Sequence, residues 1–455
     1  MSDGLHVVHV RVVDSASGRP TPVRMSFRSP DGRVFAPLGR STQFPVDPSQ
    51  DVGLHVKIGT RAFAYVDGSC EILLPATPFD LKILKGPQFL PLQQTVTLGP
   101  GKMALRFVLE RRDDPPARGW YAGDCRCHEL SPHAVLLEGA AEGLAVVNLL
   151  ARQRLGQAIP PNLVMPGLEA FSGQEACLTS PESTVVVNTF NVHTVLGSLS
   201  LLACHRPIFP LVAGAEGFED WTLGDWCGQC HRKKGLVIWS EPSFWSDSLH
   251  ECPAPEGLAQ LLLGDIDAIE ISGSVERLGS NPWTNWYALL NAGFRMPIAG
   301  ASGKESNGQQ IGSCRTYARL EAGAPLSYLA WVEAVRAGKT VVSDGPLLEF
   351  QVNDGRPGDE VSASAADPRL RIKAEANCMD STAVLELIGD GEVLATHSIT
   401  SPGPVSFSNE IAAADLHWLA ARLRRDDGSF LAHTSPIYIA NHSSTHPRFS
   451  SSPTP

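Results

Sequence analysis

The stretch Gly119-Trp120-Tyr121-Ala122-Gly123-Asp124-Cys125-Arg126-Cys127-His128 marks the point where the character of the chain changes. It follows Arg111-Arg112-Asp113-Asp114-Pro115-Pro116, a charged, proline-stiffened linker, and precedes a helix-like segment, SPHAVLLEGAAEG (131–143). Read as a strand, it directs Asp124, Arg126 and His128 to one face and Cys125 and Cys127 to the other. Downstream, short apolar strands (LAVVNLL, STVVVN, GLVIW, AIEIS, PIAGAS) alternate with further helix-like segments (LGDWCGQCHRKK, PEGLAQLLLG, NWYALLNAG, YLAWVEAVRAG). Strand-then-helix repetition predicts a parallel sheet, open or closed into a barrel, with its chemistry at the carboxyl ends of the strands.

On both sides of this region the apolar residues recur with period two. Ahead of the linker come HVVHVRVVD, VRMSFRS, CEILLP, DLKILKG and LRFVLER, separated by turn signals such as SASGRP and SPDGR. After Ser343-Asp344-Gly345-Pro346 come LLEFQVND, LRIKAEAN, TAVLELIG and SFLAHTSPIYIA. Both blocks predict β-sandwiches, the first antiparallel. The expected order is a sandwich at 1–115, an α/β barrel at 116–345, a sandwich at 346–441 and a Ser/Pro-rich disordered tail at 442–455. The fold class is α/β plus all-β, and 455 residues are enough for three domains.

Composition narrows the function. Lys+Arg 37 against Asp+Glu 48 gives a net charge of −11, which repels polyanions and argues against a nucleic-acid partner. Asp3, His6, His9 and Arg11 interrupt the N-terminus, and no stretch approaches the about 18 apolar residues of a membrane span. The expectation is a cytoplasmic protein with no membrane partner that handles a small-molecule ligand or substrate; the oligomeric state is left open. Ten cysteines in a chain of this length predict buried free thiols rather than a disulfide scaffold. The Cys125/Cys127 and Cys227/Cys230 pairs also raise a structural zinc, but strand geometry and a barrel-covering helix favour buried thiols. No G-x-S-x-G elbow, P-loop or G-x-G-x-x-G after a strand is present, so serine-hydrolase, NTPase and dinucleotide readings lack their usual support.

The opening stretch resembles the first barrel strand of the PHP-type (polymerase and histidinol phosphatase) metallohydrolase superfamily. Specifically it is similar to the CehA/McbA, carbaryl-hydrolase-like branch, which has Gly-Trp-x-x-Gly-Asp followed by His-x-His. The resemblance continues through 131–151, 195–202, 235–242, 286–302, 315–320 and 331–352. It also takes in PTPVRMSF and YVDGSCEILLP in front and HTSPIYI behind, and so spans nearly the whole chain. It implies a PHP-like barrel flanked by sandwiches. It also implies an ancestry in which a divalent metal (Zn, Mn or Fe) activates water against an ester, carbamate, amide or phosphoester.

At the ligand positions this chain departs from that pattern. The first imidazole of His-x-His is Arg126, leaving His128. Phe190 and Val195-Leu196-Gly197-Ser198 replace a glutamate and a Val-Leu-Gly-His segment, Glu241-Pro242 replaces His-Pro, and Ser302-Gly303-Lys304-Glu305 stands where a further ligand is common. A guanidinium cannot ligate a metal, because it stays protonated. The substitutions predict an Arg126 ion pair with Glu241 or Asp124 inside the barrel mouth. Two functions are therefore open. One is a hydrolase of reduced or lost activity using Asp124, Arg126, His128, Glu241 and Lys304, with His128 and Glu241 as remaining metal ligands. The other is a pseudoenzyme whose mouth, positive through Arg126, Lys304 and Arg315, binds an anionic or sugar-like ligand or a protein partner. Trp239, Trp245 and His193 are candidate lining residues, although the tryptophans equally suit packing between domains. Glu138 and Glu142, one helical turn apart, read as a solvated helix face.

Overall fold

The computed structural model describes residues 4–48, 52–153, 171–214, 220–242, 255–272, 282–321, 323–362, 369–379, 382–413 and 415–440. The disordered tail expected at 442–455 lies outside them. The described chain is mostly β with few helices.

In the N-terminal region, alternation sends Val8, Val10 and Val12 of strand Leu5–Asp14 to one side. That strand pairs with Ser69–Pro75 and Ala104–Leu109. A second sheet is ordered His55–Ile58, Arg61–Val66, Val23–Arg28, Phe79–Leu84, Leu92–Val96. The two sheets share one core, in which Val10, Phe27, Leu81 and Phe107 meet. One pairing departs from the antiparallel expectation: Leu5–Asp14 runs parallel to Ala104–Leu109. These are the first and last strands of the region, so no hairpin forces them antiparallel.

In the centre, Trp120–Cys127, Val146–Ala151 and Thr184–His193 lie side by side in parallel. Gly197–Leu202 then turns back antiparallel. This strand interrupts the expected parallel sheet because the connection after His193 is too short for a crossover. Leu236–Ser240 pairs antiparallel with it, and Ala268–Ser272 and Ile298–Ala301 follow in parallel. The segment after Ile298–Ala301 returns to the opening strand: the Gly303 N–H donates to Arg126 O (3.0 Å) and the His128 N–H to Lys304 O (2.7 Å).

Each helix-like segment of the sequence is a helix: Pro132–Ala141, Leu223–Arg232, Pro255–Leu263, Pro282–Asn291 and Tyr328–Arg336. Their starts follow local chemistry. Ser131 and Ser327 accept from backbone N–H groups three residues on, and Thr222 with Asp225 forms a capping box. On the other flank of the opening strand, Arg315–Arg319 and Thr340–Ser343 are antiparallel. Thr340–Ser343 in turn pairs with Phe430–Thr434, so hydrogen bonding runs unbroken across residue 345 into the C-terminal strands. There the sheet Leu348–Val352, Arg369–Cys378, Gly403–Ala412 packs Phe350, Leu370 and Ile372 against Leu385, Leu387 and Leu423.

His433 sits where this C-terminal layer meets helix Pro282–Asn291. Trp283 stacks on its ring at 4.5 Å, Trp286 meets it edge-on at 5.2 Å, and the Tyr287 hydroxyl donates to Nε2 at 2.7 Å. Nδ1–H donates to Thr434 O at 2.8 Å. Burial, with Arg422 nearby, pushes its pKa down to about 3, so the folded state holds it neutral. The unfolded chain takes up this proton near the ordinary histidine value of about 6.5. The stability tied to a neutral His433 is therefore complete above about pH 6.5 and is lost as pH falls toward 3, by up to about 1.4 kcal/mol per pH unit. Chemical denaturation from pH 8 to pH 4 should show this fall. His433→Gln should be less stable at pH 8 but flatter below 6.5; an unchanged slope would remove His433 as the cause.

Candidate functional site

The opening strand does not keep the strict alternation that its sequence predicts. Its register with the next strand pairs Asp124 with Val147 and Cys127 with Leu149, so Cys125 and Arg126 together oppose one residue. This is a β-bulge, and it reverses the facing of everything beyond it. Cys127 packs with Val147 and Leu149, whereas Cys125 packs among Val146, Leu150, Val186 and Phe190. Arg126 and His128 lie on that second side, each against the Phe190 ring at 5.1 and 5.0 Å. Asp124 therefore does not share their face, contrary to the period-two expectation.

Arg126 is 4 % exposed and surrounded by acceptors. Its Nε and Nη2 donate to the two oxygens of Glu270 at 3.0 and 2.7 Å. Its Nη1 lies 3.0 Å from Glu241 Oε1 and 3.4 Å from His128 Nε2. Burial opposes the charge, but Glu270 and then Glu241 outweigh it, and the guanidinium pKa stands above its ordinary value. Glu241, with a half-exposed side chain, reaches Arg126 from a left-handed backbone (φ 48°) at the end of Leu236–Ser240. The His128 ring is fixed from both ends, because Nδ1–H donates to Leu150 O at 2.9 Å and Nε2 faces the guanidinium.

Asp124 accepts four hydrogen bonds, from the Arg126, Ser302 and Gly312 N–H groups at 3.1, 3.0 and 2.8 Å and from the Ser302 hydroxyl at 2.5 Å. Complete burial nonetheless raises its pKa above the usual aspartate value, with those bonds opposing the shift. It holds the 302–312 segment against the opening strand. Asn148 extends the polar interior: its amide donates to Asp124 O at 3.0 Å, while its Oδ1 accepts from Asn188 and the Tyr328 hydroxyl.

The other expected residues lie elsewhere. Lys304 does not line a positive mouth. It is fully buried, with Nζ 3.1 Å from Glu138 Oε2 and donating to Gln309 O at 2.9 Å. Glu138 and Glu142 are correspondingly not a solvated face, because this side of helix Pro132–Ala141 packs on the N-terminal region. Glu138 accepts from the Leu54 N–H at 2.6 Å, and Glu142 takes Arg24 at 2.5 Å and the Tyr65 hydroxyl at 2.8 Å. The Arg315 guanidinium is buried against the carbonyls of Gly312 and Glu142, both at 2.9 Å. Trp239 is buried in a core with Trp226 and Leu261. His193 Nδ1 accepts from the Val195 and Leu196 N–H groups at 3.1 and 3.0 Å, closing a hairpin. Trp245 lies outside the described residues. All described cysteines are free, with Cys227 and Cys230 buried in the core.

Sequence reasoning missed Glu270. Its signal was a charged residue in the middle of the apolar strand Ala-Ile-Glu-Ile-Ser (268–272), a position that requires a partner when buried. At the rim, Arg152 bridges Glu129 and Glu305. Among the described residues Arg126 and Arg152 are both paired, so the site carries more carboxylate than guanidinium there.

A divalent metal fits these residues poorly. A catalytic cation needs at least three available donors. Here both Glu270 oxygens and Glu241 Oε1 already face the permanent positive charge of Arg126, and His128 Nε2 is turned to the same group. Among the described residues, no three His, Cys, Asp or Glu side chains are grouped to hold a metal.

No protein-family model matches the chain, and no curated protein does. Among solved structures, it is similar to a two-domain protein from Bacteroides vulgatus ATCC 8482 described as containing a predicted PHP-like metal-dependent phosphoesterase. The identity is 10 %, covering 70 % of this chain and 96 % of that one, with a TM-score of 0.38. It is also similar to PsfC from Pseudomonas syringae PB-5123, at 16 % identity over 47 % of this chain and 88 % of that one, with a TM-score of 0.31. At such TM-scores neither likeness fixes the fold or the activity of this chain. No helix among the described residues is long and apolar enough to cross a membrane.

The ion-pair geometry sets an order of effects. Glu270→Ala strands a buried guanidinium and should destabilise the protein by about 3–5 kcal/mol. Glu241→Ala removes a half-exposed partner and should cost at most about 1 kcal/mol. Urea denaturation of both variants checks this; equal effects would mean that Glu270 is not the principal counterion.

Proposed function

We propose that this chain is a non-hydrolytic member of the PHP-type metallohydrolase superfamily, in its CehA/McbA branch, built as a PHP-like barrel between two β-sandwiches with boundaries near 115 and 345. The run of sequence resemblance from PTPVRMSF to HTSPIYI supports the descent. The hydrogen bonds from Gly303 and His128 that return the last parallel strand to the first support the barrel.

One observation carries the loss of hydrolysis. By the resemblance Arg126 stands where the family has a metal-binding imidazole, and it is locked by Glu270 and Glu241. Loading a cation there would require breaking a bidentate buried pair and placing the metal beside a fixed positive charge, which the Coulomb energy at such separations opposes. Among the described residues, no proton-accepting nitrogen at the site is left to activate water, because His128 Nδ1 is spent on Leu150 O and Nε2 faces Arg126. The mouth then serves as a binding site. Glu241 is its solvent-facing carboxylate, so it suits a neutral, hydroxyl-rich, sugar-like small molecule that donates to Glu241 better than it suits an anion.

Purified untagged protein should hold no stoichiometric Zn, Mn or Fe by elemental analysis. It should not turn over an aryl ester or a bis-aryl phosphate when Zn²⁺, Mn²⁺ or Fe²⁺ is added, and His128→Ala should behave as the wild type. One or two equivalents of tightly held metal, or chelator-sensitive turnover lost in His128→Ala, would overturn this reading.

A further inference from the structure

We propose a second ligand site, separate from the barrel mouth: a groove on the outer face of the sheet Leu348–Val352, Arg369–Cys378, Gly403–Ala412 that takes a carboxylate-bearing oligosaccharide. Phe350, Leu370, Ile372 and Ala374 occupy the inner face of this sheet in the core. Alternation therefore sends Gln351, Arg371 and Lys373 outward, together with Ser408 and Glu410 of the neighbouring strand. Register aligns them in rows, with Gln351 opposite Lys373, Lys373 opposite Ser408 and Arg371 opposite Glu410. With Asn353 they line a groove of about 600 Å³, within the size range of small-ligand sites.

The distribution of charge in the groove selects the ligand. Lys373 pairs with Glu375 at 2.8 Å, and Glu410 pairs with Arg369 at 3.3 Å. Among the described residues, no carboxylate lies within ion-pair distance of the Arg371 guanidinium, which leaves its planar fork able to take a ligand carboxylate bidentately. The amides of Gln351 and Asn353, the Ser408 hydroxyl and the Glu410 carboxylate supply both donors and acceptors, as hydroxyl groups require.

Other ligands fit less well. Among the described residues no aromatic side chain lines the groove, so an aryl group or a nucleobase finds nothing to stack on. Side-chain rows about 7 Å apart along the strands, on strands about 4.8 Å apart, present polar groups over more than one sugar ring. A single small anion would leave most of them unused.

The test is calorimetric titration of the full-length protein with tetragalacturonate, a neutral oligosaccharide of the same length, and citrate. Tetragalacturonate should bind, and the other two should bind at least about tenfold more weakly, the size of one charged hydrogen-bonding pair. Arg371→Ala should lose about tenfold for tetragalacturonate with an unchanged thermal midpoint, because the residue is exposed. Absence of binding, equal binding by the neutral chain or by citrate, or full affinity in Arg371→Ala would each overturn the proposal. Loss on Arg371→Ala assigns binding to this sheet, so the result is distinguishable from any event at the barrel mouth.

Discussion

A guanidinium that cannot lose its proton, held where water scarcely reaches it, governs the arrangement of the central region. Leaving such a charge unpaired would cost several kcal/mol, so the surrounding strands must supply carboxylates in good geometry. Glu270 answers from the middle of an otherwise apolar strand, and both its oxygens are used. Glu241 answers from the end of another strand through a backbone conformation that non-glycine residues adopt at some cost. The bulge in the opening strand belongs to the same solution, because it turns Arg126 and His128 toward Phe190 and Glu270 while Asp124 stays with the 302–312 segment.

That segment joins two tasks. Ser302 and Gly312 satisfy Asp124, and Gly303 and Lys304 continue the hydrogen bonding to the opening strand. A few residues on, Asn307 donates to Pro45 O at 3.0 Å and accepts from the Gly53 N–H at 2.8 Å, and Lys304 meets Glu138, which in turn holds Leu54. The N-terminal region is thus bonded to the same loop that shapes the site. Gly53 shows how close the approach is: its φ is +117°, and a Cβ there would lie 2.9 Å from the Ala134 Cβ. The acidic groups of helix Pro132–Ala141 are buried for this reason, and amphipathic periodicity alone could not reveal it, since the covering surface comes from residues about a hundred positions earlier.

The parts of the molecule that local periodicity controls were legible in the sequence. Among the described residues, the five helix-like segments are helices where their apolar spacing puts them, and the strands of the central region fall on the apolar runs. An Arg126–Glu241 contact followed from charge bookkeeping alone. Register and long-range partnership were not legible. A single inserted residue at the bulge changes which side chains share a face, and no local signal in Asp-Cys-Arg-Cys-His announces it. Lys304 read as a mouth residue because its partner, Glu138, lies on an element whose burial depends on another region. Glu270 was visible only as an anomaly within Ala-Ile-Glu-Ile-Ser.

The site's charges also constrain one another as a unit. Removing Arg126 alone would leave Glu270 buried without a counterion, and removing Glu270 alone would leave Arg126 dependent on a half-exposed glutamate. Either single removal therefore leaves a buried charge without adequate compensation, so the two residues can only be exchanged together. The pairing that neutralises Arg126 is thus also what keeps Glu270, Glu241 and His128 turned to the guanidinium.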